Sequence, residues 1–454
     1  MAISRNDIST SFHALLFDKV SIAPLITFRV LFGLMMVVSI VRFAANGWIT
    51  ELYVKPNFFF TYYGFDWVHP FGELGMSLWY GGMLLAALGI MFGCFYRWSA
   101  MLFFCLFTYV ELIDKTYYLN HYYFVSLVSA LLIFVPAHRA FSIDAWRKPK
   151  LTTKQTAAWT INVFKLQLGI VYFFAGLAKL HPDWLFEAMP LKLWLPSVSE
   201  TPLIGFLFNY EWSAYVFSWT GAIYDLTIVF FLLYAPTRIL AYLAVIAFHM
   251  MTAMLFQIGM FPYIMMGLTL IYFSPTFHEK LLRFLGWKKE GKSSSTKNRN
   301  LFLRPVTTAS LLTAFFLFQF LLPLRFLAYP GALYWTEQGY RFSWRVMLME
   351  KGGHTTFTVK ELDGSKTEWV NNYDYLTPHQ EKMMSTQPDM ILQFAHHLQE
   401  IYQQKGYREP IVQCNSKVSL NGRRSRTFVD PQVDLAKEKR GFHHKNWIMP
   451  FDAH

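Results

Sequence analysis

The chain alternates between long apolar segments and short polar ones, and this alternation is its strongest pattern. Repeated windows of about 18 to 22 apolar residues match the thickness of the hydrocarbon core of a bilayer. They predict nine membrane-spanning helices, over residues 22–44, 76–96, 98–113, 120–137, 159–180, 213–235, 238–256, 259–274 and 306–328. The pattern therefore predicts a polytopic α-helical membrane protein.

The composition of the chain agrees with this prediction. Of its 454 residues, 54% are hydrophobic, 19% are aromatic and only 15% are charged. A soluble protein of this size carries about 25% charged residues. The first residues, "MAISRND", lead after an amphipathic stretch into a full-length apolar segment. This arrangement is typical of a retained membrane anchor rather than of a cleaved signal peptide.

The periodicity changes after the last apolar segment. "TFTVKELDGSKTEWV" alternates around an Asp-Gly turn and "IVQCNSKVSLNGRRSRTFV" around an Asn-Gly turn, so both predict β-hairpins. Between them, "STQPDMILQFAHHLQEIYQQKG" has helical spacing and a stop at Gly406. We therefore predict two domains: a transmembrane helical catalytic domain over residues 1–329 and a small extramembrane α+β domain over residues 330–454.

Lysine and arginine are distributed unevenly among the loops. The loop after Pro136 and the segment 278–305 are rich in basic residues. The opposite loops contain one lysine each and no arginine; they are residues 45–75, 114–119 and 181–212. Because basic loops stay in the cytoplasm, we predict a cytoplasmic N-terminus and an extracytoplasmic C-terminal domain. That domain would lie on the periplasmic side of a bacterial inner membrane, or in the endoplasmic reticulum lumen of a eukaryote.

Charge and cysteine content exclude several other classes of protein. The formal net charge of +12 does not indicate a nucleic-acid partner, because the basic residues cluster in loops beside the spans. The three cysteines form no CxxC pair, and no ligand set has the spacing of a zinc or haem site. We find no internal repeat and no glycine-rich phosphate loop. The sequence therefore predicts neither a metal nor a nucleic-acid site.

A few polar residues interrupt the apolar segments near one membrane face. Lys179 ends one predicted span, Asn120 and His121 begin another, and the turn 257–263 joins two more on the same side. Position alone favours ordinary explanations, such as an interfacial lysine anchor and a satisfied polar histidine. Asp225 interrupts a span with a carboxylate, which favours an ion-pair partner inside the bundle over a catalytic group. A neutral lysine in an apolar site is nevertheless a competent general base.

Five segments in the same order resemble those of the vitamin K-dependent γ-glutamyl carboxylases. They are "DKTYYLNHYYF", "VYFFAGLAKLHPDW", "FHMMTAMLFQIGMFPY", "YWTEQGYRFSWRVML" and "RTFVDPQVDLA", and together they extend over residues 110–436. By this resemblance Lys179 matches the catalytic base, and His121 matches a histidine that stabilises an intermediate, with Asn120 beside it. The resemblance also implies a quinone- or glutamate-binding set, which we predict to be Tyr340, Trp344, Met347, Phe261 and Tyr122.

The resemblance implies an enzyme of the carbon–carbon lyase class that couples two reactions. Reduced vitamin K is oxygenated by O₂ to its epoxide, and a glutamate side chain of a protein or peptide gains CO₂ to become γ-carboxyglutamate. Neither a metal nor biotin is required. The implied partners are a glutamate-containing substrate, a lipid-borne quinone and membrane lipids.

The chain departs from the animal members, which carry a longer lumenal region. This puts propeptide recognition in doubt and suggests a bacterial relative with a menaquinone-like quinone. Two alternatives stay open. One is a hydroquinone epoxidase without protein carboxylation, which Lys179 and His121 support equally. The other is a membrane transporter or quinone-binding scaffold, which Asp225 and Lys165 inside spans would suit, although no inverted repeat supports it.

Overall fold

The computed structural model describes residues 13–287 and 305–451. In these residues, seven helices are long and apolar enough to cross a membrane: Ala23–Ala45, Gly72–Phe92, Tyr96–Ile113, Trp159–Lys179, Glu211–Leu233, Arg238–Leu255 and Pro305–Ala328. Two shorter apolar helices, Asn120–Phe134 and Phe261–Tyr272, occupy the positions of the predicted fourth and eighth spans. All nine predicted segments are therefore helical, but nine full spans are not confirmed.

Local sequence features mark the ends of the two shorter helices. The Asn120–Phe134 helix is followed by Val135 in an extended conformation and then by Pro136, which disfavours helical geometry in the residue before it. The Phe261–Thr269 helix has Pro262 in its first turn and tightens into the 3₁₀ turn Leu270–Tyr272. Both helices pack within the bundle, where a short helix is shielded from lipid by its neighbours.

The Trp159–Lys179 helix lies near the centre of the bundle, and most of its residues are buried. It packs against Glu211–Leu233, and the two approach closely at Gly176, where an added Cβ would lie 2.8 Å from Leu226 N. The Pro305–Ala328 segment is mostly exposed and lies at the edge of the bundle. Residues buried at the centre therefore face other helices, whereas those of the last span face the bilayer.

The part that follows the last span, residues 330–451, is here called the C-terminal domain. It contains a four-stranded antiparallel sheet in the order Thr367–Val370, Lys351–Lys360, Ile411–Leu420 and Arg426–Thr427. Both predicted hairpins are confirmed, since the two long strands pair with Phe357 opposite Cys414 and each pairs with a shorter strand. The helices Pro378–Met384 and Pro388–Gln404 complete the domain, and a small C-terminal domain with strands is therefore confirmed.

Short elements connect the larger ones. The strands Lys19–Ser21 and Gln155–Ala157 pair beside the first span. The short helices are Trp48–Tyr53, Ile143–Arg147, Pro182–Leu185, Leu191–Trp194, Pro275–Phe284 and Leu333–Thr336. The predicted sidedness of the membrane rests partly on the basic loop, whose residues 288–304 lie outside the described residues, and it stays a prediction.

Candidate functional site

Lys179 lies at the end of its helix and is only 6% exposed. Its Nζ donates to Asp225 Oδ2 at 2.6 Å and to the carbonyl of Ala175 at 3.3 Å. The lysine therefore has a partner inside the protein and is not an anchor that extends to the lipid headgroups. The interpretation of Asp225 as an ion-pair partner in the bundle agrees with this contact.

Small residues let the two helices bring this pair together. Besides the contact at Gly176, a Cβ added at Gly221 would lie 3.8 Å from Lys179 Cε. Gly221 is one helical turn before Asp225 on the same helix, so it leaves room for the lysine stem just before the carboxylate. These two glycines therefore leave room between the helices for the Lys179 side chain to reach Asp225.

The "HPDW" sequence that follows Lys179 attaches this end of the helix to the C-terminal domain. Asp183 accepts two hydrogen bonds from Arg423, at 2.8 and 2.9 Å, and one from Asn421 at 2.7 Å. Burial opposes ionisation, but these donors outweigh it and hold the pKa of Asp183 below its ordinary value. Trp184 donates to Ser218 O, and its ring lies 5.6 Å from Lys179 Nζ.

Tyr334 and Arg345 lie directly over the Lys179 turn. Tyr334 donates to the carbonyl of Ala178 at 3.1 Å, and its ring lies 4.7 Å from that of His181. The Arg345 guanidinium lies 5.9 Å from the Tyr334 ring and 4.5 Å from the Phe326 ring. Burial lowers the pKa of His181, and the positive charge of Arg345 acts in the same direction. No carboxylate among the described residues forms an ion pair with Arg345.

Asn120 connects the membrane helices to the segment that follows Tyr334. Its Nδ2 donates to the carbonyl of Arg345 at 2.7 Å, and its Oδ1 accepts from Tyr118 Oη at 2.9 Å. The same Tyr118 oxygen accepts from the Phe342 backbone N–H at 2.7 Å. Asn120 is thus engaged on both sides of its amide and fixes the position of Arg345.

His121 is buried in an aromatic cluster rather than beside Lys179. Its ring lies 5.7 Å from that of Phe261, which lies 5.8 Å from that of His249. His249 Nε2 is 3.1 Å from the hydroxyl of Tyr172, two helical turns before Lys179. Within residues 13–287 and 305–451, no hydrogen bond or ring contact joins His121 directly to Lys179. The row of aromatic side chains that begins at His121 ends at Tyr172, on the same helix as Lys179.

The predicted binding residues fall into two groups. Tyr122 and Phe261 belong to the His121 cluster, since the Tyr122 ring lies 4.5 Å from the His121 ring. Tyr340 lies near Tyr334, with ring centroids 6.3 Å apart. Trp344 stacks on Tyr123 at 5.0 Å, and its buried Nε1 has no partner among the described residues. Met347 is half-buried and touches neither cluster through a hydrogen bond or ring contact.

Residues 337–347 form a segment with unusual backbone geometry, here called the left-handed segment. Four of its non-glycine residues have positive φ: Glu337 (54°), Phe342 (60°), Trp344 (59°) and Met347 (55°). L-residues pay about 1–2 kcal/mol for this conformation. The surrounding contacts therefore hold the backbone against its own preference, as is common at functional sites.

Sequence reasoning missed several residues of the site. Tyr334, Arg345, Tyr172 and His249 lie inside the matched segments but received no role. His249 interrupts an apolar helix, and this polar interruption was the available signal. Arg345 gave no such signal, because a basic residue after the last span is unremarkable in a sequence. Among the described residues, no group of three or more His, Cys, Asp or Glu side chains is arranged to hold a metal ion.

Comparison with known proteins identifies the family. Residues 17–277 match the HTTM domain, and residues 304–454 match the vitamin K-dependent gamma-carboxylase, lumenal domain. No solved structure was found to match the chain. The family model for the membrane part includes Lys179, Asp225 and His121, and the second model includes Arg345 and the Asp183 partners. The chain therefore belongs to the vitamin K-dependent gamma-carboxylase family.

Proposed function

We propose that this protein oxygenates reduced vitamin K, or a menaquinone-type quinol, to its epoxide and uses this reaction to carboxylate glutamate side chains. In enzyme terms it is a carbon–carbon lyase with O₂ and CO₂ as co-substrates. The observation that carries the proposal is the buried Lys179–Asp225 pair beneath the C-terminal domain, in a chain of this family.

The side chains around this pair suit a quinol. Its flat apolar ring is best received by aromatic surfaces, and Trp184, Tyr334 and Tyr340 line the end of the helix. Its hydroxyl groups need polar partners. The buried Nε1 of Trp344 and Nδ1 of His249 lack hydrogen bonds among the described residues and are suitable donors or acceptors for such groups. These observations support binding of a quinol ring, with its isoprenoid tail toward the bilayer.

Lys179 is the proposed base for the quinol hydroxyl. To act as a base, Lys179 must be a neutral amine. Asp225 can take up the ammonium proton, so no other proton acceptor is needed. Moving one proton along the 2.6 Å hydrogen bond from Nζ to Asp225 converts an ammonium and a carboxylate into an amine and a carboxylic acid. In a buried site this neutral pair escapes the desolvation penalty that an ion pair pays. We therefore assign Asp225 as the residue that sets the protonation state of Lys179.

The other predicted residues take supporting roles in this proposal. His121 is buried among aromatic rings, so it is suited to stabilise developing charge within an apolar environment. Asn120 has its amide engaged by Tyr118 and Arg345, which supports a positioning role rather than contact with substrate. Tyr172 and His249 connect the two parts of the site by a hydrogen bond.

Oxygenation of the quinol supplies the driving force and a base strong enough to remove a γ-proton from glutamate, whose carbanion then adds CO₂. Such a base would be quenched by bulk water, so the reaction needs a sheltered site. The C-terminal domain supplies that shelter, because Asp183, Arg423 and Asn421 hold it directly against the Lys179 turn. Tyr334 adds a second contact at Ala178.

The test uses purified protein in nanodiscs with reduced vitamin K, O₂, labelled CO₂ and a short glutamate peptide. We expect epoxide and labelled peptide to form together. Epoxide without labelled peptide would favour a quinol epoxidase instead, and neither product with any quinol would favour a transporter or quinone-binding scaffold.

A lysine variant tests the assignment of the base. Lys179→Ala should lower epoxide formation by roughly 10³-fold, in the range measured for general-base loss, and small exogenous amines should restore part of it. Lys165→Ala, on the same helix but nearer its other end, is the matched control and should keep most activity. Undiminished turnover in Lys179→Ala would contradict the assignment.

A further inference from the structure

A second feature lies apart from the Lys179 pair. A cavity of about 250 Å³ opens between the C-terminal domain and the ends of the membrane helices. Its charged lining residues are Lys115, Arg325, Arg341, Arg440, Lys445, Glu337 and Asp389. Five cations face two carboxylates, so the cavity is strongly cationic. Most of the lining belongs to the C-terminal domain.

Several of these charges already have partners. Asp389 accepts from Arg341 at 2.7 Å and from Lys115 at 3.0 Å. Glu337 pairs with Lys351 at 2.8 Å, outside the cavity lining. Arg440 pairs with Asp66 at 2.7 Å, also outside the cavity lining. These ion pairs use both carboxylates of the cavity and leave the positive charges of Arg325 and Lys445 without an ion-pair partner among the described residues.

Arg325 and Lys445 carry that remaining charge. No carboxylate among the described residues lies within 4 Å of either cation, although Arg325 donates to the carbonyl of Arg341. Lys445 is buried, and burial lowers its pKa while Asp389 partly offsets the effect. A buried cation without a partner is costly, so an anion that enters the cavity would relieve a penalty already present in the fold.

The cavity adjoins the Lys179 site through the left-handed segment. Arg341 and Phe342 line the cavity, and the Phe342 N–H donates to Tyr118 Oη. Tyr118 in turn donates to Asn120, whose amide holds the carbonyl of Arg345. One face of this short segment thus borders the cavity, while Arg345 lies over Tyr334 at the Lys179 turn. A ligand that contacts Arg341 in the cavity would therefore be bound only four residues along the chain from Arg345, which lies at the proposed catalytic site.

We propose that this cavity binds acidic side chains of the substrate peptide, next to the glutamate that reacts. The proposal rests on the proposed function for the identity of the substrate. Carboxylates are the natural partners for two unpaired cations, and Arg325 can bind one in a bidentate manner. The volume is below the roughly 300–1,000 Å³ of drug-sized pockets, so it suits one or two side chains.

An anionic lipid headgroup has similar charge, but the cavity is less suited to it. A lipid site would be lined mainly by the ends of membrane helices. Here the helix Pro388–Gln404, residues 336–342 and residues 440–445 supply most of the walls, all from the C-terminal domain. A chain arriving from the aqueous side of that domain meets these walls first. The peptide is therefore the occupant that we assign.

The experiment measures binding of a fluorescent glutamate-rich peptide to the full chain in zwitterionic nanodiscs, by anisotropy, without any quinol. The double variant Arg325→Gln/Lys445→Gln should weaken binding about tenfold or more, equivalent to about 1.4 kcal/mol. The matched control Lys417→Gln/Lys437→Gln removes two exposed lysines of the C-terminal domain and should leave affinity unchanged. The glutamine version of the peptide should bind weakly to every form.

A charge-preserving variant tests whether a loss of binding comes from the lost charges or from misfolding. Arg325→Lys/Lys445→Arg keeps both charges in the cavity and should retain at least a third of the affinity, whereas the glutamine variant should not. Equal losses in the cavity and control variants, or no loss in either, would overturn the proposal. So would unchanged peptide binding together with loss of a labelled anionic lipid, because that result identifies a lipid site.

This design separates the two proposals. Peptide binding is measured with no turnover, so it does not depend on the quinol reaction. A chain that binds the acidic peptide through Arg325 and Lys445 but forms no labelled product would contradict the proposed function alone. A chain that carboxylates peptides but binds them equally well in the glutamine variant would contradict the cavity alone.

Discussion

Among the described residues, two buried lysines each contact an aspartate, and the two contacts differ in how many partners they involve. Lys179 is bonded to Asp225 at 2.6 Å and to one backbone carbonyl. Lys115 lies 3.0 Å from Asp389 and 3.0 Å from Gln393, and Asp389 is also held by Arg341 at 2.7 Å. The first is a pair inside the helix bundle, and the second is a network at the junction with the C-terminal domain.

The difference separates the lysine that we propose as the base from a lysine with a structural role. In the network, each charge has several partners, so moving a proton would leave another group unsatisfied. Burial lowers the pKa of Lys115 to about 8, and Asp389 partly offsets this effect. In the pair, one proton can pass between two atoms without disturbing a third side chain. Isolation therefore makes Lys179 suitable as a base, even though both lysines are buried.

The largest expected contrast is in catalysis. Lys179→Met should lower epoxide formation by roughly 10³-fold, because the proposed base is lost. Lys115→Met should lower epoxide formation by about tenfold or less, because Lys115 holds the C-terminal domain against the membrane helices through Asp389 and Gln393. Epoxide is measured by chromatography under saturating quinol. Equal losses in both variants would remove the distinction between the two lysines.

Stability tests the isolation of the pair. Asp225→Asn leaves Lys179 buried without its partner, and breaking such a pair typically costs about 3–5 kcal/mol. Adding Lys179→Met to that variant should restore much of the loss, because no charge then remains. Free energies of unfolding of the wild type, the two single variants and the double variant form a double-mutant cycle. Additive losses would show that the two side chains are not coupled.

A double-mutant cycle on Lys115 and Asp389 should show weaker coupling than the cycle on Lys179 and Asp225. Asp389→Asn should cost about 2 kcal/mol, less than in the bundle because its side chain is 34% exposed to solvent. Adding Lys115→Met should restore little, because Arg341 still lacks its carboxylate. Full rescue by Lys115→Met would mean that this site too behaves as a simple pair.

Acid should lower the stability that the Asp389 network contributes to the fold. Burial opposes ionisation, but Arg341 and Lys115 outweigh it and hold the pKa of Asp389 well below its usual range. A depressed carboxyl pKa gives stability that is complete above about pH 4 and is lost as pH falls below it. The free energy of unfolding of the wild type should therefore decline below about pH 4, by at most about 1.4 kcal/mol per pH unit from this group. Asp389→Asn should decline less steeply.

The apolar pattern alone predicts every membrane helix position and both hairpins, because helix and strand periodicity are local properties. It also predicts that Asp225 has an ion-pair partner, since a carboxylate in a span needs one. Its partner, Lys179, depends on the crossing of two helices at Gly176, and that is a tertiary property. Span length was overestimated at Asn120–Phe134, where the apolar run continues past the end of the helix.

The left-handed segment was beyond sequence reasoning. Positive φ is normally signalled by glycine or asparagine, yet here Phe342, Trp344 and Met347 adopt it. Phe342 and Trp344 contact Tyr118 and Tyr123, and Asn120 binds the carbonyl of Arg345 between Trp344 and Met347; all three partners come from a distant part of the chain. Arg345 was missed for the same reason, since its position over Tyr334 exists only once these contacts form.

The geometry of that segment has a consequence for biosynthesis. Each of its four left-handed residues costs about 1–2 kcal/mol on its own, and contacts from Tyr118, Asn120 and Tyr123 help to hold the segment in place. A nascent chain whose last domain has not yet docked would let the segment relax, and Arg345 would leave the Lys179 turn. We therefore expect the arrangement around Lys179 to be complete only after the C-terminal domain has docked onto the membrane helices.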